Sequence, residues 1–366
     1  MIDKNKLNIP ERFRDHPIFN ELLCGTNFGF MAKRGYYLTD EAKKQPELMR
    51  KSGINWTTLN MNFCQTNYFS DKVYLDFEFS TGEMELADMV KRLHDKGVRV
   101  LFKPCLTCLD GAWMGLVRFP APDQLAQIQG VKMDYWGKWA KSFIEAEKYF
   151  ADFAERTNID SMIIGAEYYG TEGQNDMWYK VIEEIRSRYS NPITYEFTCD
   201  SRKAYNLEWM NETDFLSYSY YPPAVDRSGF NLDNLDEIRN SPDYSVEDMK
   251  AHLSKRIPRI KSISERFLNK PIAFTEYGVR SAHGCILKPY DFLWDTPYDG
   301  KQQADFMEAS FQTFWDMPEW MGFFWWKWDE TQDRPQYAGD PNGDRGFTIQ
   351  GKPAEKVMQK WIQKNK

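Results

Sequence analysis

The sequence predicts an α/β protein, a (β/α)8 TIM barrel folded as a single catalytic domain over residues 1–366. Three observations lead there. Short apolar segments recur eight times, most of them followed by a polar loop and an amphipathic helical stripe. The segments are β-branched or aromatic and nearly continuous in apolar character, as parallel strands covered on both faces should be. No glycine-rich phosphate turn follows the first segment, which argues against an open doubly wound sheet.

The elements follow in order. Residues 1–23 are charged, interrupted by Pro10 and Pro17, and read as an N-terminal extension without the apolar core of a signal peptide. Strands are expected at 25–31 and 55–64. Ser80 and Glu83 make a capping box for the next helix, Leu86, Met89, Val90 and Leu93 form its stripe, and Gly97 stops it. The third strand is expected at 98–106, followed by a stripe of Trp136, Trp139, Ala140, Phe143 and Ile144. The fourth, at 161–167, precedes Trp178, Val181, Ile182 and Ile185. The remaining strands are expected at 193–199, 215–221, 272–277 and 321–328. Pro353 opens a closing helix with Ala354, Val357, Met358, Trp361 and Ile362 on one face. Two connections, 105–134 and 222–245, exceed the ~15 residues beyond which loops are usually functional, and both fall on the C-terminal rim. The mixed-charge segment 233–266 reads as solvated loop and helix surface.

Composition narrows the function. The net charge of −7 disfavours a phosphate-tracking surface, so no nucleic-acid partner is expected. No run of 18 apolar residues is present, so no membrane span is expected. Six scattered cysteines, at 24, 64, 105, 108, 199 and 285, read as free thiols of a reducing, cytoplasmic compartment. Cys105 and Cys108 have no second pair to complete a zinc site, and the chain holds only 4 His. The run from Asp340 to Asp344 begins like a calcium loop, but Arg345 and Gly351 stand where glycine and glutamate are needed. No metal or cofactor is expected.

In such a barrel the informative residues are polar groups at strand C-terminal ends. Glu167 ends the fourth segment and Glu276 the seventh, each after an apolar run. Facing carboxyls, one protonated and one ionised, are what glycoside hydrolysis requires. Asp110, Asp200, Asp329 and Glu330 also lie near strand ends, and pairing with a nearby Arg or Lys is the competing reading of any of them. Aromatic residues strengthen the catalytic reading. Alternation puts Trp326 and Trp328 on one face of the last strand, where indoles can carry a sugar ring, and Trp325 on the other, against helices. It also puts Tyr220 and Tyr221 on opposite faces, so one of them can donate to Glu276.

Several segments together resemble glycoside hydrolase family 113, the β-mannanases and related enzymes of the large clan of retaining (β/α)8 glycosidases. Lys270-Pro271-Ile272-Ala273-Phe274-Thr275-Glu276-Tyr277-Gly278 looks like the family's nucleophile strand, and Ile163-Ile164-Gly165-Ala166-Glu167 like its acid/base strand. Leu101-Phe102-Lys103-Pro104 with Asp110-Gly111-Ala112-Trp113 resembles its third-strand motif. Phe324-Trp325-Trp326-Lys327-Trp328-Asp329 and the segment from Asp344 to Pro353 resemble its last strand and closing segment. The resemblance spans roughly residues 25–363. It implies a retaining hydrolase of β-1,4-mannosidic bonds in mannan-derived oligosaccharides, with Glu276 as nucleophile and Glu167 as acid/base. It further implies that Lys103, Tyr220 and Trp326 contact the sugar and that Trp113 stands on the rim. Ala166 departs from the Asn that many members of the clan carry before the acid/base and that grips the sugar 2-hydroxyl; either another residue does this, with Asn62 at the end of the second strand as the candidate, or the substrate differs. Cys105 stands where a polar ring contact is expected. Other β-linked glycans (glucan, xylan or galactan) and a non-catalytic carbohydrate-binding barrel remain alternatives.

Overall fold

The computed structural model describes residues 7–198, except 122, 125, 126, 128, 129 and 131, together with residues 207–328 and 344–364. Eight parallel strands close into a barrel in sequence order: β1 (Leu23–Phe28), β2 (Trp56–Gln65), β3 (Arg99–Cys108), β4 (Ser161–Ala166), β5 (Ile193–Thr198), β6 (Leu216–Ser219), β7 (Ile272–Tyr277) and β8 (Trp320–Trp328). β8 pairs back onto β1, with Leu23 opposite Gly322. The expected (β/α)8 architecture is the observed one. Closure satisfies every strand edge and leaves the eight C-terminal ends converging on one mouth.

Around the barrel run α1 (Asp40–Lys51), α2 (Glu83–Asp95), α3 (Tyr135–Arg156), α4 (Asn175–Arg186), α5 (Leu235–Arg239), α6 (Val246–Ser254), α7 (Ile257–Arg266), α8 (Gly300–Phe314) and α9 (Pro353–Lys364). Their stripes are buried as periodicity predicts: Leu86, Met89, Val90 and Leu93 on α2, and Trp178, Val181, Ile182 and Ile185 on α4. Three details differ from expectation. The cap of α2 is not Ser80 with Glu83. Ser80 accepts from the Asp76 N–H in the preceding turn, and Glu85, at the third helical position, reaches back to Gly82 N. The same Glu85 carboxylate also accepts from Gly35 N at 3.0 Å and Tyr37 N at 3.2 Å, which ties the β1 loop to the helix. Between β5 and β6 the described residues hold a short 3-10 turn, Glu208–Glu212, rather than an α-helix. Segment 233–266 is not only solvated surface, since Ile238, Met249, Leu253, Ile260 and Ile263 are buried.

The N-terminal extension closes the end opposite the mouth. Ile9, Phe13, Ile18 and Phe19 pack in one buried cluster with Leu23, Trp56, Leu101, Ile163, Phe215, Ala273 and Met321 from the barrel interior. Burying a large apolar side chain contributes ~1.5–3 kcal/mol, so this plug is a substantial part of the core. Among the described residues this plug covers the end of the barrel interior opposite the rim.

Candidate active site

Glu167 is the first residue beyond β4 and has φ +59°, in the left-handed region where a side chain costs on the order of 1–2 kcal/mol. The turn is held on both sides. Glu167 N–H donates to the Glu196 carbonyl at 2.8 Å, and its carbonyl accepts from Tyr169 N–H at 2.8 Å. The buried Tyr168 next to it accepts from Leu106 N–H at 3.1 Å and so anchors the end of β4 to β3. Its carboxylate Oε2 accepts a hydrogen bond from the Trp113 indole at 3.0 Å. Trp113 stands on the rim, 42% exposed, stacked on Tyr169 at 6.5 Å. Gly115 lies beneath that indole, where an added Cβ would come within 2.4 Å of the ring.

Glu276 projects from β7 into the same mouth with its side chain 15% exposed. Donors reach both oxygens. Lys103 Nζ meets Oε1 at 2.5 Å, while the Tyr221 hydroxyl donates to Oε2 at 3.1 Å and Ser219 to Oε2 at 3.4 Å. Ser219 also favours the ionised form of the Glu167 carboxyl. Burial pushes the Glu167 carboxyl above the usual range, and the charge of Glu276 pushes the same way. Hydrogen bonds from Ser219 and Trp113 and the Lys103 charge hold it back in part. Burial likewise lifts the Tyr221 phenol well above its ordinary value, with the surrounding carboxylates adding to it, so the hydroxyl stays a donor.

A third acid was not anticipated. Glu196, in the middle of β5, is fully buried, and its Oε1 accepts from Lys103 Nζ at 2.7 Å. Lys103, Glu196 and Glu276 come from β3, β5 and β7, alternate strands whose inward side chains meet across the barrel. Burial works against the charge on Lys103, but Glu196 and Glu276 outweigh it and hold the ammonium well above its ordinary range. The sequence carried one signal for Glu196: an acid inside an otherwise apolar or hydroxyl-bearing strand must find a partner when buried.

The other expected site residues divide. Trp326 lies at the mouth with its ring 5.7 Å from Lys103 Nζ and 4.6 Å from the Phe30 ring. A cleft of about 640 Å³ opens beside Phe30, lined by Met31, Lys33, Arg34, Lys327 and Trp328 among others. Trp328 does not share the face of Trp326. The β1–β8 register shifts between Thr26 and Phe28, the extra β8 residue reverses the alternation, and the Trp328 indole donates to Gln45 of α1 at 2.9 Å. Trp325 faces outward as expected, donating to the Phe347 carbonyl at 2.8 Å. Tyr220 shares the parity of Tyr218 rather than of Ser219, and packs on Phe274 at 4.7 Å outside the barrel, so Tyr221 replaces it beside Glu276. Lys103 is 1% exposed and committed to two acids, which leaves it no open face toward a sugar. Asn62 is also 1% exposed, its amide bound to the Ala32 carbonyl and its oxygen to Thr107, so it props the rim instead of reaching the mouth.

Of the competing carboxylates, Asp110 is exposed and closes a turn onto Ala112 N–H at 3.0 Å. Asp200, Asp329 and Glu330 lie outside the described residues, as do Cys199 and most of the run beginning at Asp340. Cys105 and Cys108 are free, one thiol facing Asn60 and the other Gln65. Burial pushes the Cys105 thiol up to about 12, so it is no nucleophile. Among the described residues, Asp243, His283 and Asp299 bring ligand atoms within 4.8 Å, but His283 spends its ring on Asp299 and the Ser241 carbonyl.

Comparison with known proteins bears on the fold and the family. Structures similar to this chain include a β-mannanase of glycoside hydrolase family 113 from Alicyclobacillus acidocaldarius in complex with ManMIm. It is 25% identical over 95% of this chain and 100% of that one, with a TM-score of 0.77. A second family 113 β-1,4-mannanase is 24% identical over 94% of this chain and 99% of that one, also at TM-score 0.77. A family 5 mannosidase from Rhizomucor miehei shares the fold at 12% identity and TM-score 0.61, over 94% of this chain and 92% of that one. No curated protein sequence matches. Residues 26–352 match the family described as Glycoside Hydrolase Family 113, and the chain belongs to that family.

Proposed function

We propose that this glycoside hydrolase cleaves β-1,4-mannosidic bonds in manno-oligosaccharides by double displacement with retention. The carrying observation is the asymmetry of the two acids. Glu276 has donors on both oxygens, the arrangement of an acceptor-only carboxylate, while Glu167 is pushed toward its protonated form. In the first step Glu276 attacks the anomeric carbon, the glycosidic bond breaks, and the Glu167 proton goes to the leaving oxygen. In the second, Glu167 takes a proton from water as that water opens the ester.

The choice of mannose is supported by the two family 113 relatives, each described as a β-mannanase. Trp326 and Trp113 supply apolar platforms for sugar faces, and Trp113 alone touches the acid as well. The five described free cysteines support a reducing, cytoplasmic setting.

The test is Glu276→Ala with labelled mannohexaose. Turnover should fall by ~10⁴-fold or more, and added azide should restore product as the α-glycosyl azide. Wild-type rates in that variant would remove Glu276 as nucleophile. A defined panel of glucan, xylan and galactan oligosaccharides checks the sugar in the same assay.

A further inference from the structure

Lys103 is a buried cation with two carboxylate partners, Glu276 at 2.5 Å and Glu196 at 2.7 Å. The two partners are unequal. Glu276 reaches the mouth, whereas Glu196 is fully enclosed and has no route to substrate. Double displacement makes this inequality consequential. When Glu276 becomes a glycosyl ester it gives up its negative charge, and Lys103, 1% exposed, keeps its own. A buried ammonium without a counter-charge is strongly disfavoured.

We propose that Glu196 is the standing counter-ion of the site, a positioning residue that takes over the Lys103 charge when Glu276 is consumed and so stabilises the covalent intermediate and the transition state leading to it. The inference rests on the reading of Glu276 as nucleophile. Atoms balance without any additional group: the Glu276 oxygen forms the bond to the anomeric carbon, the leaving group departs with its electron pair, and Lys103 retains its protons throughout. The geometry fits this role better than simple support of the fold. Glu196 touches both halves of the machinery, through its side chain to the Lys103 that also binds Glu276, and through its carbonyl to the Glu167 N–H at 2.8 Å. The carbonyl contact survives any side-chain replacement, so the two contributions separate experimentally.

The experiment uses an oligomannosyl fluoride carrying fluorine in place of the hydroxyl beside the anomeric carbon, a probe that accumulates the ester because its hydrolysis is slow. Its fluoride leaves without acid assistance, so the trapping rate reads the attack by Glu276 alone. Glu196→Gln should trap roughly a hundredfold more slowly than wild type, with mannotriose binding by calorimetry unchanged within about twofold. Combining it with Lys103→Met removes the stranded charge, and the double variant should trap faster than Glu196→Gln alone. Slow trapping that the second substitution worsens would mean that Glu196 merely shapes the site, and trapping at the wild-type rate in Glu196→Gln would also overturn the proposal. Mass spectrometry of the trapped wild type locates the ester. Its absence from Glu276 would sink the nucleophile assignment itself, whereas an ester on Glu276 with no effect of Glu196→Gln would sink only the counter-ion. A thermal unfolding curve confirms that both variants are folded, and if Glu196→Gln is not, Glu196→Asp, which keeps the charge, must trap within about tenfold of wild type.

Discussion

The Trp113 indole donates to Oε2 of Glu167 at 3.0 Å, and that one hydrogen bond joins the rim loop after β3 to the acid at the end of β4. It favours the ionised carboxylate, in opposition to the burial that favours the protonated one. Trp113→Phe keeps a flat ring over the mouth and removes the donor. The Glu167 pKa should rise, so the basic limb of kcat/KM moves to higher pH. Deglycosylation, which needs the ionised base, should slow by about tenfold at neutral pH. A pH–rate profile on an oligosaccharide with a good leaving group reads both effects. An unmoved basic limb would mean that the indole serves the sugar and not the acid.

Tyr221 and Tyr220 are neighbours with opposite surroundings. The Tyr221 hydroxyl donates to Glu276 at 3.1 Å, while the Tyr220 ring lies against Phe274 and Tyr277 between barrel and helices. Tyr221→Phe should lower kcat/KM by ~10–100-fold through loss of a hydrogen bond to a charged group, with the melting temperature nearly unchanged. Tyr220→Phe should leave kcat/KM within about twofold. Steady-state kinetics on the pair decides it, and equal losses would contradict the placement of Tyr221 alone at the site.

The same tyrosines show which parts of the site were legible in the sequence and which were not. The eight strands were readable because burial on both faces leaves an apolar run, and β7 spans the expected residues, Ile272–Tyr277. Glu167 and Glu276 were readable because each interrupts such a run at its end. Facing direction was harder to read. Strand alternation holds only while the register holds, and an extra β8 residue turned Trp328 onto α1. The assignment to Tyr220 rested on resemblance, and the parity of Ser219 would have selected Tyr221. Lys103 was recognised as part of the site, but its partner was not. A lysine motif on β3 gives no hint that the compensating acid is Glu196 on β5, a pairing that closure of the barrel alone creates.

Glu147 on α3 offers a test of the packing, independent of the chemistry. It is 1% exposed, and among the described residues neither carboxyl oxygen has a hydrogen-bond partner. Buried Phe143, Phe150 and Ala151 lie one turn away along the helix, and burial pushes its pKa well above 4.5. An acid whose pKa is raised in the folded state binds more protons folded than unfolded. Its contribution to stability is therefore greatest below the unfolded pKa and is lost as pH rises toward the folded one. Glu147→Gln removes this titration, and Glu147→Leu removes the polar burial as well. Both should melt higher than wild type at pH 8, by ~1–3 kcal/mol of stability, with the difference shrinking as pH falls toward 4. Denaturant unfolding at a series of pH values reads the slope. A gain independent of pH would show that the carboxyl titrates alike in the folded and unfolded chain, against the raised folded-state pKa, and a loss would reveal a partner for Glu147 that the helix does not supply.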